Sequence, residues 1–173
     1  DFPNWNITFV DTGPKASIGE RLRAVREHVK DEEVFLANYV DGLTNLDLNQ
    51  VISRFLQSKK TACFVSVRPS QTFHLVERDD DGHVTRISPA GSSVAWINGG
   101  YFVFSRRIFE FLGPGEDLVN EPFQRLIAAR ELITVSHEGF WACMDTFKER
   151  QQLEDLWSKG AAPWQVWLKN GQP

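Results

Sequence analysis

Glu33-Val-Phe-Leu-Ala-Asn-Tyr39, then Asp41-Gly42, then Asp47-Leu-Asn-Gln-Val-Ile-Ser-Arg-Phe-Leu56, then Thr61-Ala-Cys-Phe-Val-Ser-Val67 follow one another with little between them. The first run is short, continuous and mostly apolar, as strands buried on both faces are. Asp41-Gly42 is turn chemistry and breaks it. In the next run Leu48, Val51, Ile52, Phe55 and Leu56 share one helical face. The last is a second buried strand, rich in β-branched and aromatic residues. Strand, helix and strand of this kind predict an α/β fold, with a mostly parallel sheet covered by helices on both faces.

Reading outward, Ile7 to Val10 predicts a short strand, and Ile18, Leu22, Val25 and Val29 recur at helical spacing after the Gly13-Pro14 loop. Downstream, Phe73 to Glu77 and His83 to Ile87 flank Asp79-Asp80-Asp81-Gly82, a strong hairpin signal that makes the sheet mixed. The three acids read as solvated turn residues, because a calcium loop needs more ligands at regular spacing. Ala95 to Phe104 is a second long apolar tract, interrupted by Asn98-Gly99-Gly100. Paired glycines in a strand predict a bulge, or a place where a ligand approaches the backbone. Ser105 caps a helix carrying Ile108, Phe109 and Leu112; a further helix runs from Pro122 to Arg130, and Leu132 to Ser136 is a strand. Thr146 and Glu149 form a capping box for the helix from Phe147 to Lys159, which Gly160 ends. The tail from Ala162 to Trp167 is expected to dock its indoles on the domain.

The 173 residues suit one domain, and 13 Phe and 6 Trp supply large side chains for its core. A net charge of −4 without a basic block argues against a nucleic-acid polymer as partner. No apolar stretch is long enough to span a bilayer. Cys63 and Cys143 lie within apolar runs and at no metal-ligand spacing, so both read as buried free thiols of a cytoplasmic protein.

The chemistry points to His137-Glu-Gly-Phe-Trp-Ala-Cys-Met-Asp145-Thr146, an aromatic run ending in one carboxylate before a strongly patterned helix. Asp41 stands in a similar setting after its own strand. Magnesium takes hard oxygen ligands, typically one or two carboxylates with water and substrate phosphates. Asp41 and Asp145 meet that need if the fold joins them. Taken alone, each acid reads first as a turn or helix-start residue and only second as a ligand, and spacing does not separate these readings.

Tyr39-Val-Asp41-Gly42-Leu43, Trp96-Ile-Asn98-Gly99-Gly100-Tyr-Phe-Val-Phe104 and Glu138-Gly-Phe-Trp141-Ala-Cys-Met-Asp145-Thr146 resemble successive motifs of the sugar-1-phosphate nucleotidyltransferases, the glucose-1-phosphate cytidylyltransferases above all. Val10-Asp-Thr-Gly13 and Ala162-Pro-Trp164 fit the same order, so the resemblance spans nearly the whole chain. It implies a Rossmann-like fold and a transferase joining CTP and glucose 1-phosphate into CDP-glucose, with release of pyrophosphate. It also implies Asp41 and Asp145 as catalytic ligands of Mg²⁺, Asn98 and Gly99 at the sugar, Gly19 near the base, and a homo-oligomer.

The chain departs from that pattern at several points. The family's Gly-x-Gly-x-Arg-Leu loop and Pro-Lys-Pro element do not occur in it, so residues 1–173 are expected to form one domain missing the family's first βα units. Tyr-Gly-Asp reads Tyr39-Val40-Asp41, Glu-Lys-Pro reads Ile87-Ser88-Pro89, and a Gly-Gly before arginine reads Gly19-Glu20-Arg21. These changes fall on substrate positions. They raise a second expectation, a non-catalytic binding or assembly domain on the same scaffold.

Overall fold

The computed structural model describes residues 5–69, 74–89 and 95–169. In chain order the elements are α1 (Ile18–Ala24), β1 (Val34–Asn38), β2 (Gly42–Thr44), α2 (Leu48–Ser58), β3 (Ala62–Val67), β4 (His74–Arg78), β5 (Val84–Pro89), β6 (Ile97–Ser105), α3 (Glu121–Ala128), β7 (Leu132–His137), β8 (Trp141–Cys143), α4 (Phe147–Ser158) and α5 (Val166–Lys169). Short 3₁₀ turns at Arg26–His28 and Arg106–Glu110 extend α1 and follow β6. Phe73, where the hairpin was expected to begin, lies outside the described residues.

The main sheet has the order β1-β6-β3-β7. β3 and β7 are parallel, from Ala62↔Leu132 to Val67↔His137, while β6 runs antiparallel to both β1 and β3. The α/β class and the mixed sheet are as expected, but the sheet is not mostly parallel: two of its three pairings are antiparallel, and the reason lies in β6 rather than in the hairpin. Strands β1, β3 and β7 share one direction, and β6 alone opposes them. The chain leaves β3 at its carboxyl end, makes the β4–β5 hairpin there and returns at the same end, so the next strand must run backwards. The hairpin does not join the main sheet; it forms a two-stranded sheet of its own.

Helices cover both faces. On one, Leu22, Ile108, Leu112, Leu118, Phe123 and Leu126 pack on Ala62, Phe102 and Phe104. On the other, Val51 and Phe55 of α2 pack on Cys63, Val65, Val67 and Val103. Full burial of a side chain of this size contributes roughly 1.5–3 kcal/mol. The alternation of Phe102, Val103 and Phe104 between the two clusters is the period-two pattern of a strand buried on both sides. Asp47 caps α2, its carboxylate accepting from the Asn49 N–H at 3.0 Å.

Two expectations at the chain ends are corrected. Ile7 to Val10 is not a strand: Ile7 and Phe9 are 63% and 93% exposed, and among the described residues no strand stands beside them to pair with. Of the late indoles, Trp164 is buried against Phe140, whereas Trp157 and Trp167 remain about half exposed. The residues that dock with Trp164 are Leu153 of α4 and Ala162, over Leu43, Phe140 and Ala142.

Candidate functional site

The carboxyl ends of β1, β3 and β7 and the amino end of β6 lie at one edge of the sheet, the edge at which open α/β sheets bind ligands. The candidate acids meet there through a small ribbon. β2 and β8 pair antiparallel, with Gly42 opposite Cys143 and Thr44 opposite Trp141. One step beyond, the Met144 N–H donates to the Asp41 carbonyl at 2.9 Å. Asp41 and Asp145, remote in sequence, thus become neighbours at one end of a ladder. Asp41 is half-buried and Asp145 exposed.

Asp145 is held by the start of α4. The Glu149 carboxylate accepts from the Asp145 N–H at 3.1 Å, the Thr146 N–H at 2.9 Å and the Thr146 hydroxyl at 2.9 Å, closing the expected capping box. Cys143, Asp145 and Glu149 each bring one potential ligand atom within 4.8 Å of the others. Asp41 is not a further member of that group. Burial, followed by the adjacent Asp145 carboxylate, pushes the Cys143 thiol up to about 11. A thiol so protonated is a poor nucleophile and a poor ligand at neutral pH.

Asn98, Gly99 and Gly100 form the expected bulge. The β3–β6 register passes from Phe64↔Phe102 to Ser66↔Asn98, leaving surplus residues on β6. Gly100 has φ +76°, and its N–H donates to the Asn98 side-chain oxygen at 2.9 Å. A Cβ at Gly100 would stand 2.8 Å from the Tyr39 ring, and one at Gly99 2.9 Å from Val67 Cγ1. Asn98 faces a cavity of about 350 Å³ with Ser66, Trp96, Thr134 and Ser136. The Arg68 guanidinium lies 4.0 Å over the Trp96 ring, a cation–π contact at the rim. Asp41, Tyr39, Asp117 and Arg21 border a second cavity, of about 620 Å³. Burial raises the Tyr39 hydroxyl above its usual range, the Asn98 hydrogen bond opposes this, and the charges of Asp117 and Asp41 add to it. Burial and then Asp41 do the same at Tyr101.

Gly19 is buried in α1, and a Cβ there would collide with the Glu116 carbonyl. Close helix–loop packing is therefore reason enough for this glycine. Glu20 has a local reason too: it closes a capping box with Ser17, at 2.9 and 3.2 Å. That Ser-x-x-Glu signal was readable in the sequence. Val40 projects into solvent at 96% exposure, and Ile87 and Ser88 stand on the exposed hairpin. A third cavity, about 680 Å³, lies beside the ribbon and α4, bordered by His137, Phe140, Trp141, Cys143 and Leu153. At its edge His137 Nε2 lies 3.0 Å from the Asn45 side-chain oxygen and 3.2 Å from the Phe140 carbonyl. The ribbon itself was not foreseen, since strands of three residues leave no periodicity to read.

The glucose-1-phosphate cytidylyltransferase of Salmonella typhimurium is 36% identical over 165 residues, covering 94% of this chain and 64% of that protein. The enzyme of the same name from Salmonella typhi is 37% identical over 166 residues, with the same coverage. The chain is a homologue of the glucose-1-phosphate cytidylyltransferases. This homologue spans less than two thirds of the length of the curated relatives it matches. No family model matches it. Its fold resembles that of a chain named for glucose-1-phosphate thymidylyltransferase from Bacillus anthracis, with TM-score 0.63, 15% identity and coverage of 83% and 62% of the two chains. HddC from Yersinia pseudotuberculosis resembles it with TM-score 0.52, 16% identity and coverage of 79% and 60%. Among the described residues of the homologue, no helix is long and apolar enough to cross a membrane.

Proposed function

We propose that this chain carries the metal and sugar-phosphate side of a nucleotidyltransferase that makes CDP-glucose and pyrophosphate from CTP and glucose 1-phosphate. The observation that carries the reading is the Met144–Asp41 backbone hydrogen bond, which puts Asp41 opposite Met144 and so one residue from Asp145, at the edge where open α/β sheets bind ligands. An all-oxygen donor pair of two carboxylates suits Mg²⁺. Asp41 and Asp145 would hold the ion, and bound there it would neutralise phosphate charge during transfer. Asn98 and Gly99, beside the hydroxyl-lined cavity, face the sugar. Gly19 lets α1 sit close to the loop bordering the base. The chain's own contribution is positioning, the main demand of phosphoryl chemistry.

In a version that also carries the family's Gly-x-Gly-x-Arg-Leu segment, CTP, Mg²⁺ and glucose 1-phosphate are expected to yield pyrophosphate, and Asp145→Asn abolishes the release, in a coupled pyrophosphate assay. Val40, fully exposed beside Asp41, and the uncharged Ile87-Ser88 favour a second reading, a binding or assembly domain without turnover. Calorimetry with CTP, CDP-glucose and glucose 1-phosphate separates the two. Mg²⁺-dependent nucleotide binding supports the enzyme; silence with all three, together with no pyrophosphate, leaves the scaffold. A cytoplasmic homo-oligomer completes the proposal.

A further inference from the structure

The β2–β8 ribbon is too short to hold its own position. It consists of three residue pairs, and an isolated two-stranded ladder is marginal in water. Its end carries Asp41 and Asp145, so whatever fastens it to the main sheet sets where those acids stand. Two side chains fasten it to β6. The half-buried Tyr101, on β6, donates its hydroxyl to the Gly42 carbonyl at 2.7 Å. Trp141, on β8, reaches the other way and donates its indole N–H to the Gly99 carbonyl at 2.8 Å. The rings also enclose Gly42: a Cβ built there would lie 3.6 Å from Tyr101 Cε2 and 3.7 Å from Trp141 Nε1. Each accepting carbonyl belongs to a residue next to a candidate site residue, Gly42 after Asp41 and Gly99 after Asn98.

We propose that Tyr101 and Trp141 are positioning residues, which together fix the spacing between the carboxylate end of the ribbon and the Asn98-Gly99 end of β6. The proposal rests on the reading of Asp41 and Asp145 as a divalent-cation site. A small hard cation demands near-ideal ligand geometry, so a ribbon free to rock costs affinity even when both carboxylates remain. Two bonds between separate residue pairs leave the ribbon less room to rock than either alone.

Mn²⁺ serves as the probe, titrated into the purified chain and followed by the electron paramagnetic resonance of the free ion. Tyr101→Phe removes one hydroxyl and keeps the ring; Trp141→Phe removes the indole donor. Phe109→Leu is the control, a loss of packing against Phe35 at a distance from the ribbon. Both joint variants weaken Mn²⁺ binding by about tenfold, while Phe109→Leu binds as the parent does despite a lower melting temperature. Should Trp141→Phe fail to fold, the nearly isosteric Tyr101→Phe decides. Parental affinity in Tyr101→Phe overturns the proposal and leaves the cation site standing. Equal weakening in Phe109→Leu also overturns it, since general loosening then accounts for the loss. A parent chain that takes up no Mn²⁺ removes the cation site and this proposal together.

Discussion

Gly100 shows how a residue's backbone and its neighbours jointly exclude a side chain. Its φ of +76° disfavours any L-residue, and a Cβ would enter the Tyr39 ring. Gly100→Ala is expected to lower stability by about 1–3 kcal/mol, read from urea unfolding. A change below the error of that measurement would show that β6 can relax around the bulge. The paired glycines were visible in the sequence as an interruption of an apolar run; that Tyr39 closes on one and Val67 on the other was not, because both contacts cross between strands. Gly19 teaches the opposite lesson. The family resemblance set it near a ligand, and the neighbouring Glu116 carbonyl supplies a packing reason that no local spacing contains.

Among the elements, the junction of α3, β7 and β3 carries a carboxylate in addition to its backbone hydrogen bonds. Glu131 accepts from the Thr61 hydroxyl at 2.8 Å and the Thr61 N–H at 2.9 Å, where Thr61 is fully buried. The Thr61 hydroxyl holds the Glu131 carboxyl below its usual range, against burial and with help from Arg107. A carboxyl lowered on folding contributes stability that is complete above its ordinary value, about 4.3, and is lost as pH falls through the lower folded-state value. Glu131→Gln should therefore cost about 1 kcal/mol at neutral pH and nearly nothing in strong acid, by urea melts at both. An equal cost at both would remove the ionic part of the account. Elements with their own periodicity or caps, α2, β3 and α4, were legible because local chemistry fixes them. The ribbon and the reversal of β6 were not, since both follow from where the chain must return rather than from what any segment prefers.

At the scale of the molecule, among the described residues neither outer strand of the main sheet, β1 or β7, has a further partner strand, and several apolar side chains remain exposed. β1 borders the main sheet with Leu36 half exposed, and Phe9, Val40 and Phe147 project well into solvent. Scattered exposed hydrophobes are ordinary, but a strand edge without a partner strand invites pairing. Light scattering is expected to find an assembly larger than one chain at micromolar concentration. A monodisperse monomer would contradict the homo-oligomer.

The Met144–Asp41 hydrogen bond also bears on when function arises during folding. Its partners are separated by most of the chain's middle, including α2, β3, the hairpin, β6 and β7. Pairings of such sequence separation are reached only after local structure has formed, because closing the intervening loop costs entropy first. Helices and single hairpins can therefore be native while the acids are still apart. On the proposed cation site, divalent-cation affinity would report completion of that non-local closure, and an ion added during refolding would favour it by mass action.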